Sequence, residues 1–154
     1  MSLFDFVESN SCDHTVNWYI AFIDSENLSW WRWFTCKGFG HCFVFTDIGN
    51  VTQCVDYLYG NVNIRFEKLP ADVYAFELVS MHNAKVLKVK NGLSEVDFCR
   101  GLLYCVSLSK SILSLRKCFA ITPYQLYLWL KNSTIDTIDI NELNETFEKR
   151  GDLS

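Results

Sequence analysis

The chain has 154 residues, 49% of them apolar and 21% charged, and a net charge of −4. That length suits one domain burying about two-thirds of its unfolded surface. The composition excludes extensive disorder, and the acidic balance with singly scattered Lys and Arg excludes a nucleic-acid binder, because phosphate recognition relies on a basic face. No stretch reaches the roughly 18 apolar residues that a spanning helix needs, so no integral membrane segment is expected. The opening MSLFDFVESNSCDH carries acidic residues where a signal peptide would need a basic segment and an apolar run. Seven cysteines, an odd count without CxxC pairs, fit reduced thiols better than a disulfide framework. The expected place of synthesis is a cytoplasm, with no signal peptide.

Residues 16 to 23 (VNWYIAFI) are rich in β-branched and aromatic side chains and predict a strand. SENLSWWRWF follows as a short helix or docking loop, and KGFG then breaks the pattern. Strands are predicted over 41–46 (HCFVFT) and 51–59 (VTQCVDYLY), joined by a turn at DIGN. NVNIRFEKL (61–69), VYAFELVS (73–80) and AKVLKVK (84–90) extend the sheet as three more strands. Over 104–115, Cys105, Leu108, Ile112 and Leu115 recur at helical spacing. A second helix is signalled at Thr122-Pro123-Tyr124-Gln125, a capping box with Pro at the first helical position. From Asn132 the chain turns polar. The expectation is one α+β domain over 1–131, an antiparallel sheet packed against helices, with 132–154 a polar tail or surface helix.

Three histidines are present, and His41 alone opens a strong strand reached through glycines, Gly38 and Gly40. A two-residue turn at Ile48-Gly49 pairs Asp47 with Asn50 and sets His41 opposite Asp56, where a carboxylate can orient the imidazole. A one-residue slip brings Tyr57 opposite instead, so Gln53 and Asn61 stay in reserve as the third polar residue. The nucleophile expected to meet His41 is Cys105. It lies in the first turn of its predicted helix, where the unpaired backbone N–H groups and the dipole favour a thiolate. Strand alternation sends Cys42 away from His41 and into the core. For the same reason, and because no CxxC or HxxxH spacing occurs, Cys36, His41 and Cys42 make a poor zinc site. No cofactor is expected.

CVSLSKSIL followed by ITPYQLYLWL resembles a pattern of phage-associated, circularly permuted NlpC/P60 proteins, which have a papain-like fold. The matching residues are Cys105, Val106 and Lys110, then Thr122, Pro123, Tyr124, Gln125 and Leu126. GFGHCFVF resembles the histidine strand of that group, and WWRWF resembles the Trp-rich segment before it; the likeness runs from about residue 16 to 131. LSL stands after the helix where the group often has LGI, and Leu103-Tyr104 stands where its approach to the cysteine is more often polar. The resemblance implies Cys105 as nucleophile and His41 as base, with a third polar residue on the next strand, which suits Asp56. It implies a cysteine peptidase or amidase acting through an acyl-enzyme on a peptide or acyl substrate, most plausibly peptidoglycan, and a protein encoded by a phage or prophage; delivery in a virion or release by a holin would reconcile a wall substrate with the expected lack of an export signal. The alternative is a non-enzymatic papain-like module in virion assembly or host-protein binding.

Overall fold

The computed structural model describes residues 16–24, 36–91 and 104–144. The Trp-rich segment of the sequence analysis lies outside them. Six strands form one antiparallel sheet: β1 (Val16–Ile23), β2 (His41–Asp47), β3 (Thr52–Leu58), β4 (Asn61–Glu67), β5 (Lys85–Asn91) and β6 (Thr137–Asp139). Their order across the sheet is β4-β3-β2-β1-β5-β6, and every neighbouring pair is antiparallel. The helices are α1 (Ala71–His82), α2 (Cys105–Ile112) and α3 (Pro123–Asn132), and residues 140–144 are also helical. The architecture is α+β, as expected.

Both faces of the sheet are covered. On one, α1 buries Ala71, Ala75 and Leu78 against Tyr19, Ala21, Phe43, Phe45 and Cys54. On the other, Val106 of α2 and Leu126 and Leu130 of α3 pack on Ile20, Phe22, Cys42 and Val44. Burial on both sides explains why β1 and β2 read as nearly unbroken apolar runs. Such a core stabilises the domain through apolar area withdrawn from water, at about 25 cal/mol per Å².

Three expectations need correction. Residues 73–80 are helix, not strand. Val, Tyr and Phe suggested a strand, but Ala71, Ala75 and Leu78 fall at spacings of four and three, and these are the residues that meet the sheet. Asn83 ends α1 in the left-handed conformation (φ 50°), with the Ala84 N–H bonded to Leu78 O at 3.1 Å. Second, the β2–β3 connection is longer than a two-residue turn. Asp47 pairs with Thr52 around residues 48–51, which shifts the register by two. Third, the segment expected as a tail from 132 supplies β6, which pairs with β5 at the sheet's edge. Lys131 anchors that strand through Asp139 (2.9 Å) and Glu142 (2.6 Å). The predicted capping box is present: Gln125 N–H donates to Thr122 Oγ1 at 3.2 Å, and Thr122 N–H donates to Gln125 Oε1 at 3.3 Å.

Candidate active site

The site forms at the end of the sheet where β2 begins. Gly38, at φ 84°, turns the chain after Cys36, and Phe39 N–H closes that turn on Cys36 O at 2.9 Å. The Phe39 ring then packs against Phe22, Tyr124 and Tyr127. This anchor leaves His41 as the first residue of β2, with its side chain only 14% exposed.

His41 Nε2 lies 2.6 Å from Asp56 Oδ1. The pairing sets Val44 across from Val55, so Asp56 is a diagonal rather than a direct neighbour of His41. The two-residue difference in register keeps strand parity, and both side chains therefore leave the same face. The Asp56 side chain is 4% exposed, and its Oδ1 also accepts the Tyr57 backbone N–H at 2.7 Å. Arg65 of β4 places Nη1 3.6 Å from Asp56 Oδ2 while its guanidinium lies over the Phe43 ring, 5.0 Å from the centroid. A buried carboxylate held in this way accepts the Nε2–H and leaves Nδ1 as the second ring nitrogen.

Cys105 is the first residue of α2, following Tyr104 in extended conformation. That position lies at the positive end of the helix dipole, which favours a thiolate. Its thiol is pushed down to about 5: hydrogen bonding with Cys42 is the largest cause, His41 adds a hydrogen bond and a positive charge, and burial opposes them. His41 is pushed up to about 9. Burial alone would lower it, but the hydrogen bond to Asp56 and the interactions with Cys105 and with both negative charges outweigh that. Between these values the pair is thiolate and imidazolium. Burial raises the other shifted thiols, Cys42, Cys54 and Cys118.

Cys42 is in the core, as its place on the strand predicted, yet it also belongs to the site. Its Sγ lies 3.7 Å from Ser109 Oγ, and Ser109 stands one helical turn beyond Cys105 on the same face of α2. Burial, and then the neighbouring Cys105, hold Cys42 protonated, so it donates S–H to the thiolate. Sequence reasoning missed this contact because α2 reaches β2 from the face opposite His41. It missed Arg65 as well, although the register set by a turn at Tyr59-Gly60 would have placed Arg65 diagonal to Asp56.

The reserve candidates do not join the site. Gln53 is three residues from Asp56, so its side chain leaves the other face, and Asn61 Nδ2 bonds Tyr59 O at 3.2 Å. Among the described residues, no three His, Cys, Asp or Glu side chains are grouped to hold a metal ion, and no helix is long and apolar enough to cross a membrane. A cavity of about 370 Å³ lies elsewhere, at the far end of β2, between Val16, Thr46, Asp72 and Lys88. Compared with known family models, curated proteins and solved structures, the chain matches none.

Proposed function

We propose that the protein is a thiol hydrolase that cleaves amide bonds through an acyl-enzyme. Cys105 is the nucleophile, His41 the acid–base group and Asp56 the carboxylate that orients it. The observation that carries this reading is the meeting of a helix-start thiol pushed down to about 5 with an imidazole pushed up to about 9 and bonded to a buried carboxylate. Buried thiols away from the site go the other way, as Cys54 and Cys118 do.

The thiolate attacks the carbonyl carbon, and the first-turn amides of α2 are suited to receive the charge that develops on oxygen. The imidazolium gives its proton to the departing amine as the C–N bond breaks. The neutral imidazole then takes a proton from water, hydroxide attacks the thioester, and the acid leaves as the thiolate returns. Asp56 keeps Nε2 occupied throughout, so the proton moves at Nδ1.

The assignment to cell-wall peptides, to a permuted papain-like domain and to a phage or prophage protein rests on the resemblance of CVSLSKSIL, ITPYQLYLWL and GFGHCFVF to the NlpC/P60 group. The test is digestion of intact and fragmented peptidoglycan by wild type and by Cys105→Ala, read by mass spectrometry. New amine and carboxyl termini with wild type alone support the proposal. Identical profiles for the two proteins reject the wall substrate.

A further inference from the structure

The strand β4, NVNIRFE, is one edge of the sheet, and among the described residues no strand lies beyond it. Its Val62, Ile64 and Phe66 side chains are 46%, 56% and 60% exposed. Edge strands are normally blunted by proline, bulges or outward charges. Here β4 follows β3 through seven consecutive pairs, from Thr52–Glu67 to Leu58–Asn61, without a bulge or a proline. Its one cation, Arg65, is turned back onto Phe43 and Asp56.

The hydrogen-bond phase follows from the turn. Tyr59 and Gly60 both have positive φ, 52° and 82°, as a type I′ two-residue turn requires. The residues flanking such a turn, Leu58 and Asn61, form a hydrogen-bonded pair. Alternation then gives Asn61, Asn63, Arg65 and Glu67 to the β3 ladder and points the backbone N–H and C=O of Val62, Ile64 and Phe66 away from the sheet. The residues with exposed apolar side chains therefore also carry the outward backbone groups.

We propose that β4 pairs antiparallel with β4 of a second copy of this chain, on a two-fold axis through Ile64. The sequence is self-complementary about that residue. Ile64 meets Ile64, Val62 meets Phe66, Asn63 meets Arg65 and Asn61 meets Glu67, so each charge faces an amide and no like charges are opposed. This register uses the outward groups of all three residues. Moving it one way by two positions sets Arg65 against Arg65, and moving it the other way takes Phe66 onto the Gly60 turn. The dimer joins two sheets into one and places the partner strand beside the strand that bears Arg65. It does not depend on the hydrolase reading.

The test is sedimentation equilibrium of the full chain from low to high micromolar concentration, with amide hydrogen exchange at both ends of the range. Wild type is expected to approach twice 17.9 kDa. The Val62, Ile64 and Phe66 amides are expected to gain protection with concentration, while those of Asn61, Asn63 and Arg65 stay constant. Ile64→Lys, which opposes like charges on the axis, is expected to remain monomeric with an unchanged circular dichroism spectrum. A wild type that stays monomeric overturns the proposal, as does a dimer whose new protection falls outside β4. The exchange readout on wild type decides the matter even where Ile64→Lys fails to fold.

Discussion

Replacing Asp56 by Asn isolates the charge that supports the ion pair. Asn keeps the shape and an Oδ1 acceptor for the His41 Nε2–H and the Tyr57 N–H, which now lie at 2.6 and 2.7 Å, but removes the negative charge. His41 rises from 6.5 to about 9 despite its burial, with the bond to Asp56 the largest favourable cause. A net rise of that size corresponds to roughly 3–4 kcal/mol, because each unit is worth about 1.4 kcal/mol. Loss of the charge is expected to lower His41 by about one unit or more, and by linkage to raise Cys105, whose thiolate depends on the imidazolium. The assay is thiolate absorbance near 240 nm titrated against pH, with the matching Cys105→Ala protein subtracted. Wild type should show its inflection near 5, and Asp56→Asn should move it upward by about one unit. An inflection unmoved in Asp56→Asn would refute the claim that this carboxylate sustains the pair.

Four further outcomes follow. Activity should form a plateau in pH, falling below about 5 as Cys105 gains a proton and above about 9 as His41 loses one, which a kcat/KM profile checks. Cys42→Ala should raise the Cys105 thiol by removing its S–H donor, while Cys42→Ser restores a donor and much of the lowering; the same absorbance titration distinguishes them. Thr122→Ala should cost about 1 kcal/mol by removing the α3 cap, seen as a Tm lower by a few degrees with the Cys105 titration unchanged. Leu126→Ala, at a position with no exposure, should cost about 2–5 kcal/mol in urea unfolding.

Much of the sheet was legible because five of its strands, β1 to β5, carry β-branched or aromatic residues between turn residues. The helices α2 and α3 were legible from spacing and from the Thr122–Gln125 box. α1 was not, since its buried face is built largely of alanine, and the large side chains of VYAFELVS carry strand propensity. β6 was hidden because three half-buried residues in a polar stretch make no periodic signal. In the candidate site Cys105, His41 and Asp56 were legible, but Cys42, Arg65 and the geometry that joins them were not. The β2–β3 turn was read two residues short, yet His41 and Asp56 still meet, because strand parity survives a shift of two. Cys42 shows the converse: alternation correctly predicted its face, but nothing local in sequence says that α2 brings Cys105 to that face.

A Cys105 thiolate paired with the His41 imidazolium should be the most reactive thiol of the chain at mildly acidic pH. Site-resolved alkylation reads this out: brief exposure to iodoacetamide at about pH 6, where an unperturbed thiol is almost wholly protonated, followed by peptide mass spectrometry across all seven cysteines. Cys105 should be labelled far ahead of the other six, and His41→Ala should abolish that lead. Uniform labelling of wild type, or a lead that survives His41→Ala, would rule out the thiolate–imidazolium pair.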